Sequence, residues 1–271
     1  MAARSALYTV VERAVRKAGR ALVRDFGEVE HLQVSIKGPG DFVSNADRRA
    51  EATLREELQR ARPGYGFLME ESGEIAGDGV HRWIIDPLDG TTNFLHSIPH
   101  FAISVALERG KEIVAGMIYN PVQDELYWSE RGHGAFLNER RLRCSARRDL
   151  ATAVIGTGIP FQSRGDHPAY LRTLAAVMAR SAGVRRMGSA SLDLAYVAAG
   201  RFDGFWEYGL SAWDIAAGML MIREAGGFVE DLEGRDRVLA TGNVIAANGH
   251  LLGPLGRLVR NSATEPPGSG G

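Results

Sequence analysis

Apolar residues recur at helical spacing through the first stretch of the chain: Leu7, Val10, Val11, Ala14, Val15, Ala18, Leu22 and Phe26, with Arg and Glu between them. That pattern predicts an amphipathic helix packed on the body of the protein, not a secretory signal. An extended stretch over 32–36 and a loop over 37–40 follow. Ser44 with Asp47 then forms a variant capping box that opens a second helix, to about residue 60. Beyond it the apolar runs shorten. Residues 65–69 and 82–86 read as strands, and 102–108, 112–119 and 125–130 alternate with turns at Arg109-Gly110-Lys111 and Asn120-Pro121. This is the pattern of an antiparallel meander, and a further turn and strand occupy 132–138. From about residue 150 strand and helix patterns alternate. Strands are expected at 154–158, 184–186, 202–207, 228–230 and 244–247, and helices at 168–179, 191–199 and from Asp214 to Gly226-Gly227. Such alternation indicates an α/β second half. The chain therefore divides into an α+β half over 1–149, an α/β half over 150–260, and a tail over 261–271 with too little apolar content to offset the cost of ordering, expected to be disordered.

Composition changes this picture little. With 45% hydrophobic and 24% charged residues the 271-residue chain is an ordinary globular protein, long enough for a substantial core. A net charge of -1 gives no global reason to expect a nucleic-acid or membrane partner. No apolar run is long enough to span a bilayer. A single cysteine, Cys144, excludes an internal disulfide framework and suits a cytoplasmic setting.

The chemistry concentrates where apolar elements end in acid. Trp83-Ile84-Ile85 runs into Asp86-Pro87-Leu88-Asp89-Gly90-Thr91-Thr92-Asn93. Burying a strand and placing carboxylates at its mouth is costly unless something neutralises them. Pro87 holds Asp86 extended, and carboxylates on a stiff backbone suit hard cations such as Mg²⁺, with the Leu88 carbonyl as a further oxygen. Read alone, the segment also suits a simple turn. Glu70 and Glu71 close a second apolar run, and Asp214 opens the apolar helix 215–222. Singly these read as a surface pair and as a helix N-terminal acid. Three acidic clusters, each at the end of an apolar element, are harder to explain that way. His96, His100 and His133 lack a nucleophile-elbow pattern and read as structural.

The segments Lys37-Gly38, Asp41-Phe42-Val43-Ser44-Asn45-Ala46-Asp47, Glu70-Glu71, Asp86 to Phe94 and Trp213-Asp214 together resemble the inositol monophosphatase family, in order and in spacing, from the first helix to about residue 250. Arg185-Arg186-Met187-Gly188-Ser189-Ala190 and Glu207 look most like its bacterial branch. The resemblance implies a layered αβαβα sandwich, with an antiparallel sheet in the first half and the active site between the halves. It also implies a Mg²⁺-dependent, lithium-sensitive phosphomonoesterase that hydrolyses inositol-1-phosphate by metal-activated water, with two or three Mg²⁺ per subunit. In that scheme Glu70, Asp86 and the Leu88 carbonyl hold one ion, and Asp86, Asp89 and Asp214 a second. Thr91, oriented by Asp47, positions the water. Gly90 and Thr91 amides face the phosphate, in keeping with unpaired N–H groups at a helix start. Asp89, Gly188, Ser189, Ala190 and Glu207 contact the polyol, and Lys37 and Glu71 order the ligands around them. Relatives acting on fructose-1,6-bisphosphate, histidinol phosphate or phosphoadenosine phosphate define alternative substrates. A homodimer is also implied. The bacterial branch further includes a regulator associated with RNA polymerase or ribosomal RNA. The matching feature is the basic cluster Arg131, Arg140, Arg141, Arg143, Arg147 and Arg148, although it lacks aromatic residues suited to base stacking.

Overall fold

In the computed structural model, residues 5–28, 34–38, 41–160 and 165–264 are described. Two long helices, α1 (Ala6–Phe26) and α2 (Asn45–Ala61), flank a small hairpin of β1 (Val34–Gly38) and β2 (Asp41–Ser44). Strands β3 (Gly66–Met69), β4 (Gly73–Ile75), β5 (His81–Asp89), β6 (Ala102–Arg109), β7 (Glu112–Asn120), β8 (Glu125–Glu130), β9 (Gly134–Leu137) and β10 (Arg140–Arg141) build an eight-stranded sheet in the order β10-β9-β8-β7-β6-β5-β3-β4. It is antiparallel except for β3 beside β5. The short helix α3 (Thr91–Leu95) follows β5 directly.

The remainder is a five-stranded sheet ordered β12-β11-β13-β15-β14, made of β11 (Val154–Thr157), β12 (Gly183–Arg185), β13 (Gly204–Glu207), β14 (Phe228–Glu230) and β15 (Val244–Ala247). Its helices are α4 (His167–Met178), α5 (Ala190–Ala198), α6 (Ala212–Glu224), α7 (Val238–Thr241) and α8 (Leu252–Thr264).

The period-2 alternation of strand side chains sorts the core into layers. On β5, Trp83 and Ile85 join Val15, Leu22, Leu54 and Leu58 of α1 and α2, whereas Ile84 joins Leu194, Ile215 and Leu220 of α5 and α6. On β13, Phe205 belongs to that same central layer, and Trp206 packs with Tyr170, Val177 and Leu255 of α4 and α8. The layers are thus α1/α2, the large sheet, α5/α6, the small sheet and α4/α8, the αβαβα sandwich expected. Among the described residues no helix is long and apolar enough to cross a membrane.

Several elements differ from the sequence reading. The stretch expected at 32–36 is a strand at Val34–Gly38, so Lys37 lies in β1 and not in a loop; 32–33 and 39–40 fall outside the described residues. By contrast, α2 begins at Asn45, the residue after Ser44, and runs to Ala61, as read from the sequence. Residues 261–264, expected in the tail, complete the last turn of α8, and 265–271 fall outside the described residues. Leu251, Leu255 and Val259 are buried at helical spacing, which is why the helix continues that far.

Helix α6 lies directly on the large sheet. A Cβ added to Gly116 of β7 would stand 2.8 Å from Ala217 Cα and 2.9 Å from its carbonyl oxygen, and one added to Gly218 would stand 2.5 Å from Leu194 Cβ. Glycine therefore sets the spacing of the central layer. Gly116→Ala should cost about 1–3 kcal/mol by forcing α6 away from β7; urea unfolding of the variant measures it.

Candidate active site

Strand β5 pairs regularly with β6 as far as Asp86↔Ser104 and resumes at Asp89↔Ala102, three steps on one strand against two on the other. Pro87 sits in this bulge, where its missing N–H breaks no ladder bond. The extra residue has a second consequence. In a regular strand Asp86 and Asp89 would point to opposite faces; the bulge returns Asp89 to the face of Asp86, towards α5 and α6. Ligand oxygens of Asp86, Asp89 and Asp214 consequently all lie within 4.8 Å of one another.

Each carboxylate is anchored. Asp86 Oδ1 accepts from the Leu88 amide at 2.9 Å. Asp89 Oδ2 accepts from Ser189 Oγ at 2.6 Å and the Ser191 amide at 2.7 Å, and also from Ser191 Oγ. Asp214 is the third residue of α6, and its Oδ2 accepts from the Ser211 amide at 2.7 Å, so a capping box fixes it. Burial pushes the Asp86 carboxyl well above its ordinary range, and neighbouring Glu70, Asp89 and Asp214 push it further. Asp214 is pushed up to about 8, first by burial and then by Asp89. Oxygen donors this close, disfavouring their own charge, fit a divalent cation, which would supply the missing positive charge. Glu70 lies outside the 4.8 Å group, yet it lines the same cavity and raises Asp86.

The cavity encloses about 780 Å³ between the two sheets. Its described lining includes Glu70, Asp86, Asp89, Asp193, Glu207 and Asp214, with Arg186 as the one basic residue. A phosphate dianion entering such a cavity meets net repulsion unless cations accompany it. Gly90 adopts φ +97°, and a Cβ there would stand 3.1 Å from the His100 carbonyl oxygen and 3.2 Å from that of Gly188, so the turn into α3 requires glycine. Thr91 Oγ1 lies 3.1 Å from Asp47 Oδ1 and 3.0 Å from the Leu88 carbonyl oxygen, and Asp47 is fully buried behind it. With its proton turned inward to these acceptors, the hydroxyl keeps lone pairs for a water in the cavity.

Glu207 ends β13, its carboxyl filling the space over Gly158, where a Cβ would stand 1.8 Å from Oε1. Burial, then Asp214 and Asp89, pushes it up to about 8.

The structure thus brings Glu70, Asp86, Leu88, Asp89, Gly90, Thr91, Gly188, Ser189, Ala190, Glu207 and Asp214 to one cavity, with Asp47 behind Thr91. Glu71 is not in the lining, and its amide donates to Glu51 Oε2 at 2.8 Å. Lys37 lies in β1, and its side chain falls outside the described residues. The Ser189 hydroxyl, expected at the polyol, is engaged by Asp89. The Leu88 carbonyl, expected on an ion, accepts from Thr91 and retains a second lone pair. Sequence reasoning missed Ser191, Ser211, Asn93, Arg186 and Asp193. The Ser-x-x-Asp spacing of Ser211 and Asp214 was a visible capping signal. Asn93 donates to the carbonyls of His100 at 2.8 Å and Met187 at 2.9 Å, a long-range tie without a local signature. His100 packs edge-on to Tyr196, and burial pushes the Cys144 thiol up to about 12, away from a reactive thiolate.

The family model of the inositol monophosphatase family matches residues 3–263. An inositol-1-monophosphatase of Rhizobium meliloti (strain 1021) is 63% identical over 259 residues, covering 95% of this chain and 97% of that protein. The Nus factor SuhB of Escherichia coli (strain K12) is 44% identical over 244 residues, 89% of this chain and 91% of that one. The crystal structure of the extragenic suppressor protein suhB from Bartonella henselae superposes with a TM-score of 0.92 at 59% identity, covering 94% of this chain and 99% of that one.

The raised carboxyls set a pH dependence. An acid with a raised folded pKa holds a proton that the unfolded chain releases near its ordinary value of about 4. Between that value and about 8, where Asp214 and Glu207 titrate when folded, the native state binds more protons, and stability falls as pH rises. The metal-free protein should therefore unfold at lower urea at pH 8 than at pH 5.5. A saturating divalent cation should narrow that difference by stabilising the ionised cluster; paired urea titrations with chelator and with cation measure both effects.

Proposed function

The chain belongs to the inositol monophosphatase family and is a phosphatase, and on that premise we propose that it hydrolyses inositol-1-phosphate with Mg²⁺ as the cation. The observation that carries this reading is the gathering of Asp86, Asp89 and Asp214 within 4.8 Å in a cavity that also holds Glu207. Asp86, Asp89 and Asp214, with Glu70 and the Leu88 carbonyl, are the groups to hold the ions. Magnesium, when bound, would neutralise phosphate oxygens, acidify a water and stabilise the leaving alkoxide.

The chain's own residues do the rest. Asp47 holds the Thr91 proton inward, so Thr91 Oγ1 accepts from the attacking water and fixes its approach. The amides of Gly90 and Thr91 offer donors to the phosphate at the start of α3. Asp89 accepts from three donors on the 189–191 segment, so its remaining oxygen is pre-set and is not searching rotamers. Glu207, across the cavity on β13, accepts hydrogen bonds from ring hydroxyls, and the glycine at 188, with φ +89°, keeps the adjoining wall close.

A second reading has its own support in the relatives named Nus factor SuhB. Here the arginine-rich 140–148 segment would contact RNA or polymerase, with Arg140 and Arg141 exposed on β10. Salt-sensitive binding to RNA or RNA polymerase, lost on charge reversal in this segment, tests it. The two functions are compatible, because the segment lies outside the cavity lining. A homodimer is part of the proposal, and light scattering gives its mass.

Phosphate release from inositol-1-phosphate tests the main reading. Asp89→Asn should lower kcat/KM by about 100-fold or more, as loss of a cation ligand. Thr91→Ala should lower kcat by about 100-fold or more with KM little changed. Glu207→Gln should act mainly on KM. A wild-type enzyme inactive on inositol-1-phosphate but active on fructose-1,6-bisphosphate, histidinol phosphate or phosphoadenosine phosphate would reassign the substrate.

A further inference from the structure

Of the three buried acids on helix α2, Asp47 and Glu51 stand one turn apart at its start, 0% and 3% exposed. They share the helix face with Ala46, Ala50, Leu54 and Leu58, all buried. An acid on such a face is costly unless its oxygens are satisfied. Asp47 serves Thr91. Glu51 serves a different segment: its Oε2 accepts from the Glu71 amide at 2.8 Å, and its Oε1 accepts from Ser72 Oγ.

Residues 70–72 form the turn between β3 and β4, closed by the pair Met69↔Gly73. The Glu70 amide donates to the Ile85 carbonyl of β5 at 3.2 Å. The turn is therefore held from two sides, by β5 at its start and by Glu51 over its middle. Of the four carboxylates read as cation ligands, Glu70 comes neither from the bulge of β5 nor from the cap of α6, and a three-residue turn has little stiffness of its own.

We propose that Glu51 is a positioning residue for cation binding. It clamps the 70–72 turn so that the Glu70 carboxylate is presented to Asp86. Because Glu51 and Asp47 are fixed to one rigid helix, the same element sets both Glu70 and the Thr91 hydroxyl. This inference rests on the reading of Glu70 as a cation ligand given above.

The test is calorimetric titration of the metal-free protein with Mg²⁺, in the absence of substrate, for wild type, Glu51→Gln, Glu51→Ala and Ser72→Ala. Loss of an outer partner of a ligand typically costs 10- to 100-fold in metal affinity. Glu51→Gln should weaken Mg²⁺ binding about 10-fold, Glu51→Ala more, and Ser72→Ala less, because the Glu71 amide bond remains. In phosphate-release assays the Mg²⁺ concentration for half-maximal rate should rise by the same factors. At saturating Mg²⁺ the KM for inositol-1-phosphate should stay within about twofold of wild type. Ser72 is exposed, so Ser72→Ala decides the matter if the Glu51 variants do not fold. Folded variants that bind Mg²⁺ as tightly as wild type would overturn the proposal, as would a loss of kcat with Mg²⁺ affinity unchanged. A wild type whose Mg²⁺ affinity depends on Glu51 but that releases no phosphate from inositol-1-phosphate would overturn the substrate reading alone.

Discussion

Carboxylates crowded at the ends of buried elements repel one another, and the rest of the site is arranged to hold them against that repulsion. Asp86, Asp89 and Asp214 come within 4.8 Å, with Glu70 near enough to raise Asp86 further. Left on flexible segments, such groups would swing apart into solvent. Here each has a fixed donor: the Leu88 amide, the Ser189–Ser191 segment and the Ser211 amide. These bonds favour the charged forms, while burial and mutual repulsion oppose them, and burial is the larger cause for both Asp86 and Asp214. The site is consequently geometrically complete and electrostatically unfinished, which is the condition under which a hard cation binds tightly.

Holding the cluster requires the large sheet and the central helices to meet at it. The large sheet contributes Asp86 and Asp89 through a bulge that puts them on one face. The central layer contributes the other side: α5 presents its N-terminal serines to Asp89, and α6 presents Asp214 from its first turn. Gly116 and Gly218 let α6 press against β7 and α5, and Asn93 ties the start of α3 to the Met187 carbonyl. A shift of any of these by an ångström would separate oxygens that function only together. Close packing of small residues far from the ligands is thus part of the chemistry.

Much of this was legible from residue order. The abrupt change from Trp83-Ile84-Ile85 to Asp86-Pro87-Leu88-Asp89 marked the site, because a buried strand does not end in two acids without a counter-charge. The meander and the later strand–helix alternation announced the layers through their periods. What did not show was pairing across distance. Nothing local to Glu51 says that its oxygens meet the 70–72 turn, and nothing local to Ser191 says that it meets Asp89. The bulge at Pro87 was also hidden, since it depends on the register of β6 and not on β5 alone. Lys37 reads as the start of a loop, whereas β1 runs on past it to Gly38, with Ile36 and Gly38 paired to β2 on either side of the register shift at Lys37. The α8 helix had the spacing of Leu251, Leu255 and Val259 in its favour, but glycines and a proline near its start obscured it.

In the proposed reaction the two sides of the cavity divide the recognition of substrate between them. One side supplies charge, through Glu70, Asp86, Asp89 and Asp214 with Thr91, all close to where a phosphate would sit. The second supplies shape and hydroxyl acceptors, through Gly158, Gly188, Ala190 and Glu207. Arg186 alone among the described lining residues is basic, so the protein offers a phosphate dianion little attraction of its own. On the proposed function, affinity for the phosphate end is borrowed from the cations, while discrimination among phosphate esters falls to the wall built by β13 and the 188–190 segment. Exchanging that wall would alter which alcohol is released without disturbing how the ester is cleaved.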